Sequence, residues 1–280
     1  MSPSASDLTG IHRVEKLYLE LLFRCNMSCG ICYHGEDLKR RDVLTHEQVR
    51  NALIYFADRY GCRQACFLGG EPLLYDELPR VLATAQQLGY QTEVCTNGYR
   101  RRRVLEACVP HPDLLRISLD AGTREAHDAI RRPESFDAAF DTMAWAAGRR
   151  LPFGATCTLT AQHIGTIAEL AARLRDTGAV ELQLHRLRPI GNAATSGLQP
   201  VTWGQTRALH DQLTRMDLGQ MQVNLDILLP ERCPQPTGHV EKLEIAPDGR
   251  VYLSCAEVAG PGQNVRYDFD QAALVPVDPR

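Results

Sequence analysis

No run of apolar residues in this 280-residue chain approaches the length of a membrane span, and the stretch from Met1 to Arg13 has no apolar core of the kind a secretory signal needs. Neither sign of charge is in marked excess. The 31 basic side chains stand against 34 acidic ones, a net −3, which is too weak a field to draw in nucleic acid or an anionic membrane. Lysine is nearly missing: Lys16, Lys39 and Lys242 are all there is. No internal repeat or low-complexity tract interrupts the chain. A protein without an export signal is expected in the reducing cytoplasm, where its ten cysteines serve as thiols or metal ligands and not as disulfides. The length and the 44% hydrophobic content suffice for one large α/β domain with a small appendage.

What is present is a cysteine triplet. Cys25, Cys29 and Cys32, in the run Arg24-Cys-Asn-Met-Ser-Cys-Gly-Ile-Cys-Tyr33, have a C-x3-C-x2-C spacing. Three thiolates on one short loop can hold three irons of a [4Fe–4S] cluster, and no fourth local cysteine completes the usual four-thiolate set. One iron is then left open, and an open metal position is where substrate binds. Read by itself, the triplet also allows a zinc site completed by Cys62 or Cys66. Cys62, Cys66, Cys95, Cys108 and Cys157 otherwise read as small buried hydrophobes.

Strand-length apolar runs alternate with helical patterns from residue 15 to about 190. Strands are expected at Leu17–Leu22, Gln64–Leu68, Gln91–Thr96, Leu114–Leu119, Phe153–Thr158 and Val180–Leu184. Helices are expected at His46–Tyr60, Leu78–Leu88, Val104–Ala107, Phe136–Gly148 and Ile164–Thr177. That order implies a parallel sheet of six strands with helical crossovers, a partial (β/α)6 barrel of TIM type, with chemistry where strands end and βα-loops begin. Beyond Gly191 come a loop rich in small residues and a helix around Thr206–Met216. A β-hairpin then follows over Val240–Ile245 and Val251–Leu253, its turn made by Pro247-Asp-Gly249. The division expected is a lead-in over 1–14, a barrel over 15–195 and a small C-terminal hairpin and helix module over 196–280.

A second motif, Phe67-Leu-Gly-Gly-Glu-Pro72, closes the second strand. Its paired glycines let backbone approach a ligand closely, and Glu71 can accept from an ammonium group. Together the triplet and Gly-Gly-Glu-Pro resemble the radical S-adenosylmethionine (radical SAM) family. The resemblance continues through Thr96-Asn97-Gly98, Ile117-Ser-Leu-Asp120 with His127-Asp128 and Arg131, and Arg188-Pro-Ile-Gly-Asn192. It implies that Cys25, Cys29 and Cys32 bind the [4Fe–4S] cluster and that SAM chelates its open iron. Gly69, Gly70 and Glu71 would hold the methionine ammonium, Ser118 would reach the ribose or carboxylate, and Thr96, Asn97 and Asp120 would also bind the cofactor. Arg131 would pair with the carboxylate, while Ile31 and the backbone near Leu187–Pro189 would flank adenine. It further implies a 5′-deoxyadenosyl radical that takes hydrogen from a peptide or small natural-product substrate, and an electron donor such as flavodoxin or ferredoxin as partner.

The tail resembles the opening of the cysteine-rich extension called SPASM or, when shortened, twitch. Here it departs from the pattern: five residues separate Gly249 from Cys255, and no cysteine follows. Two thiolates do not make an ordinary cluster, so redox-neutral outcomes such as epimerisation or isomerisation gain over dehydrogenation. Cys233 and Cys255, bracketing a hairpin expected over the barrel mouth, are then candidate hydrogen-atom donors. The competing reading is a non-catalytic iron–sulfur or zinc scaffold.

Overall fold

The computed structural model describes residues 11–99, 102–109, 111–226, 238–253 and 265–277. Strands β1 (Arg13–Glu20), β2 (Gln64–Leu68), β3 (Gln91–Thr96), β4 (Leu114–Ser118), β5 (Phe153–Leu159), β6 (Glu181–Arg186) and β7 (Gln222–Asp226) pair in parallel, each with the next. On the far side of β1, β8 (His239–Ile245) also pairs in parallel, and β9 (Val251–Leu253) follows antiparallel. The result is one nine-stranded, curled half-barrel in the order β7-β6-β5-β4-β3-β2-β1-β8-β9. Helices α1 (His46–Tyr60), α2 (Leu78–Gln87), α3 (Arg102–Cys108), α4 (Arg124–Ile130), α5 (Ser135–Gly148), α6 (Ile167–Thr177) and α7 (Trp203–Thr214) fill the connections, as parallel pairing demands. A separate hairpin joins β10 (Val265–Asp268) and β11 (Ala273–Pro276). No helix among the described residues is long and apolar enough to cross a membrane.

Side-chain alternation assigns the two faces. Leu17 and Leu19 of β1, Ala65 and Phe67 of β2, Leu115 and Ile117 of β4, and Leu182 and Leu184 of β6 share one buried core with the helices. Helix α1 offers that core Val49, Leu53, Phe56 and Tyr60, spaced by three or four residues. A Thr45–Gln48 capping box starts it and Gly61, left-handed at φ 64°, stops it;. Truncating Phe56, fully buried, would cost about 3–5 kcal/mol.

The alternate residues face the concavity and are polar. Lys16 of β1 reaches Glu93 of β3 across β2, with Nζ 2.5 Å from Oε1. Arg116 of β4 reaches Glu181 and Gln183 of β6 across β5. Gly154 of β5 makes the second crossing possible, because a Cβ there would lie 2.5 Å from Glu181 Cγ.

Three sequence expectations need amendment. β1 starts and ends earlier than Leu17–Leu22, because Leu21 and Leu22 leave the ladder to bond Leu68 and to bridge Val43. β7 has only two apolar side chains, Val223 and Leu225, in alternation with polar ones, too short a signal to stand out. The tail hairpin forms where expected, but β8 lies along β1 as part of the sheet and does not fold over the mouth. Cys233 and Cys255 lie outside the described residues.

Candidate active site

The cysteine loop leaves the end of β1 and is clamped from three sides. Gly30 N–H donates to the carbonyl of Ile130, the last residue of α4, at 2.8 Å. From the loop after β6, Asn192 N–H donates to Cys32 O at 2.8 Å and its Nδ2 donates to Cys29 O at 3.1 Å. From the loop after β2, Gly70 N–H donates to Leu22 O and Glu71 N–H to Arg24 O, at 2.8 and 3.1 Å. The paired glycines have a further reason beside the one read in the sequence. A Cβ on Gly70 would stand 2.2 Å from Phe23 O and 2.4 Å from Arg24 O; it is the cysteine loop's own backbone that comes so close.

Around the thiols lies an apolar collar of Met27, Ile31, Tyr99, Ile130, Leu187 and Ala193. Burial pushes the Cys25 thiol up to about 12 and raises those of Cys29 and Cys32 as well, so the thiols stay protonated until a metal displaces the protons. Donors already point at the sulfurs: Met27 N–H at 3.4 Å and Asn97 Nδ2 at 3.9 Å from Cys25, and Arg131 Nη1 at 3.9 Å from Cys29. No three His, Cys, Asp or Glu side chains among the described residues are grouped to hold one metal ion. In a cubane the three thiolates would each bind a different iron. Cys62 bonds Glu15 O and Gln64 O at the opposite ends of the strands, and Cys66 is buried within β2, so neither completes a zinc set.

The polar residues at the strand ends form a brace. Glu71, buried, accepts from Leu73 N–H at 3.0 Å, Thr96 Oγ1 at 2.6 Å and Asn97 N–H at 2.8 Å. Burial pushes its carboxyl up against the pull of those three donors. A carboxylate offers about four acceptor sites, so one remains for a ligand ammonium. Asn97 extends the brace to the cysteine loop, donating to Asn26 Oδ1 at 2.8 Å. Arg131 is locked onto Asp120, whose other oxygen accepts from Thr158 N–H at 2.9 Å. Asp120 thus holds Arg131 and its loop through Nε, and leaves the Nη side of the guanidinium facing Cys29. Ser118 ends β4 half-buried on the concave face, its hydroxyl unbonded among the described residues. A cleft of about 480 Å³ opens between Cys25–Ser28 and Arg131–Pro133.

Sequence reasoning missed Asn26 and Asn192 as positioning residues. Asn192 had a signal, its place in a loop after a strand; Asn26 had none beyond lying next to Cys25. It also missed Glu20, Tyr33 and His34, which gather on the flank of the cysteine loop away from Arg131.

A half-barrel with three thiols in a dry collar at its strand ends defines a class, and comparison with known proteins agrees. The Radical SAM superfamily matches residues 19–178, more than half of the chain, and the protein belongs to that family. Its members are enzymes, and the cofactors are a [4Fe–4S] cluster and S-adenosylmethionine. Over 148 residues the chain is 30% identical to the Fe-coproporphyrin III synthase of Methanosarcina barkeri, covering 51% of this chain and 37% of that protein. Over 201 residues it is 29% identical to the mycofactocin maturase MftC of Mycolicibacterium smegmatis, covering 69% of this chain and 50% of that one. The chain thus spans half or less of these relatives' length. The crystal structure of Streptococcus suis SuiB bound to its precursor peptide SuiA superposes with a TM-score of 0.73 at 15% identity, over 87% of this chain and 60% of that one, and so shares the fold.

Proposed function

We propose that this protein reductively cleaves S-adenosylmethionine and uses the radical so formed to abstract hydrogen from a peptide substrate in natural-product maturation. The observation that carries the reading is the thiol triplet in its apolar collar, with N–H donors aimed at Cys25 and Cys29. When bound, the cluster would supply the one electron that breaks the sulfonium S–C5′ bond of SAM into methionine and a 5′-deoxyadenosyl radical. Cys25, Cys29 and Cys32 would hold the cluster. Gly69, Gly70, Glu71 and Arg131 would orient the methionine end, Thr96 and Asn97 would keep Glu71 in place, and Ser118 would face the ribose. Ile31 and Leu187 would exclude water beside adenine.

A peptide substrate is supported by the relatives: MftC is a maturase, and SuiB has been crystallised with a precursor peptide. In this reading residues 15–195 carry cofactor binding, residues 196–280 contribute to the substrate side, and 1–14 are a lead-in. A one-electron donor such as flavodoxin or ferredoxin would serve the cluster. Between Cys157 and residue 280 stand two cysteines, Cys233 and Cys255, fewer than an ordinary four-cysteine cluster takes. Epimerisation or isomerisation is therefore favoured over dehydrogenation.

Anaerobic reconstitution tests this. The wild type should take up about four irons and four sulfides per chain and form 5′-deoxyadenosine with dithionite, whereas the variant with Cys25, Cys29 and Cys32 all replaced by alanine should do neither. Bound zinc without sulfide would refute the reading and restore the scaffold alternative.

A further inference from the structure

Beside the cysteine loop, on the flank away from Arg131, lies a group of acceptors short of hydrogen. Glu20 ends β1 on the concave face and is 1% exposed. The parallel pairing of β8 with β1 brings Glu244 alongside. Tyr33, immediately after Cys32, points its hydroxyl between the two, 3.1 Å from Glu20 Oε1 and 3.1 Å from Glu244 Oε1. A phenol has one proton to give. Glu20 Oε2 is buried with no partner, and so is His34 Nε2, which stands 3.7 Å from Glu20 Oε1, beyond hydrogen-bond range;. The His34 side chain is 6% exposed and aimed at this carboxylate.

The nearest guanidinium groups are engaged elsewhere. Arg250 is held by Asp37 at 2.5 Å and Asp248 at 2.8 Å, and Arg40 by Asp42 at 3.0 Å and Asp248 at 2.7 Å. Orphaned buried acceptors are rare in folded proteins and call for a partner. The carboxylates and imidazole are not grouped to bind a single metal ion. A nitrogen with several N–H bonds suits them better, since each bond bridges about 2.9 Å to a separate acceptor. Tyr33 is 40% exposed and Glu244 half-buried, so this side opens outward.

We propose that Glu20, Glu244 and His34 form a binding site for a primary ammonium group of the substrate, with the Tyr33 hydroxyl as its movable outer wall. An entering ammonium displaces the hydroxyl from between the carboxylates and donates to Glu20, Glu244 and His34 Nε2. Burial, with Glu244 beside it, pushes the Glu20 carboxyl up, so a proton shared by the pair takes the ammonium's place when the site is empty. This assignment rests on the enzyme reading for its substrate, but the binding itself does not depend on radical chemistry.

The test is calorimetric titration of the full-length, reconstituted protein with three probes of similar size. Nα-acetyllysine amide offers a side-chain ammonium, norleucine amide a main-chain one, and Nα-acetylnorleucine amide none. One of the two ammonium probes should bind saturably and the uncharged probe should not; which one binds says whether the substrate presents a lysine or an amino terminus. Glu20→Gln and Glu244→Gln should each weaken binding about tenfold, since each removes a charge-assisted bond. If Glu20→Gln fails to fold, Glu244→Gln, on the open side, carries the test. Ammonium probes that bind no better than the uncharged one, or folded variants that bind like the wild type, overturn the proposal. Formation of 5′-deoxyadenosine by the wild type without probe binding removes this site and leaves the enzyme reading standing; probe binding without 5′-deoxyadenosine does the reverse.

Discussion

The belt of Lys16, Glu93, Arg116, Glu181 and Gln183 and the group of Glu20, Tyr33, His34 and Glu244 line the same concave face and use the same kinds of side chain, yet they are finished differently. In the belt, Lys16 and Arg116 meet Glu93 at 2.5 and 3.3 Å, and Arg116 Nε meets Glu181 at 2.7 Å. Two cations face two carboxylates, with the Gln183 amide on the remaining guanidinium edge. In the second group two carboxylates and an imidazole have no cation paired with them, only the Tyr33 hydroxyl and a proton shared by Glu20 and Glu244. A buried charge is tolerated when it is paired; the belt is balanced in charge within the protein, although Glu93 Oε2, Arg116 Nε and Glu181 Oε1 make no hydrogen bond, and the other group is balanced by something that arrives. Charge balance thus separates a structural polar cluster from a receptive one more clearly than burial does, since both are largely withdrawn from water.

Arg116→Met should have the largest effect. It leaves Glu181 without its cation and Glu93 with Lys16 alone, both mostly buried, and breaking a buried pair from one side costs about 3–5 kcal/mol. Denaturant unfolding of the metal-free protein measures it. A loss below about 1 kcal/mol would mean that water reaches the belt and that the contrast with the Glu20 group is false.

Gly154→Ala sharpens the same point without touching a charge. The new methyl meets Glu181 Cγ at 2.5 Å and Glu181 O at 2.7 Å. It should push the carboxylate off Arg116 at a cost of about 1–3 kcal/mol, the range for overpacking a filled site. In the Arg116→Met background the penalty should shrink, because no pair is left to break; full additivity in that double-mutant cycle would show the two positions to be independent.

Much of this contrast was invisible in the sequence, for a physical reason. Gln64–Leu68, Gln91–Thr96 and His46–Tyr60 have the boundaries expected of them, because alternation, capping and punctuating glycine are local signals. The cysteine triplet and Gly-Gly-Glu-Pro were legible for the same reason. Glu20 and Glu244 become neighbours through the pairing of the chain's first strand with one more than 200 residues later, in a register that sets Tyr18 opposite Glu244; no local pattern encodes that. Nor could the sequence tell that Asp120 holds Arg131, or that Gly70 lets the cysteine loop's own backbone come close. Cofactor motifs lie within short loops, whereas the receptive group depends on tertiary register.

The smallest effect on stability, and the most telling, is expected from Glu20→Gln. Removing a carboxylate from the belt should cost stability, but here it removes an acceptor in excess and supplies an amide donor for Glu244 or His34. The change at neutral pH should therefore be within about 1 kcal/mol of zero and on the stabilising side. The pH dependence carries the sign. Burial and Glu244 raise the Glu20 carboxyl in the folded state, so between its unfolded value and the raised one the folded protein binds more protons than the unfolded one, and this group makes stability fall as pH rises through that window. Glu71 and Glu181, also raised by burial, add falls of the same sign, and His34, His127 and His163, lowered by burial, add rises; the variant keeps them all. Asp37 and Asp128, both lowered, act oppositely and only at lower pH. Glu20→Gln should flatten the decline between about pH 4.5 and neutrality and leave the acid limb unchanged. Unfolding midpoints of the metal-free protein across that range decide it; a variant that loses stability at every pH would mean that Glu20 is already satisfied inside the protein, and the two clusters would then be alike.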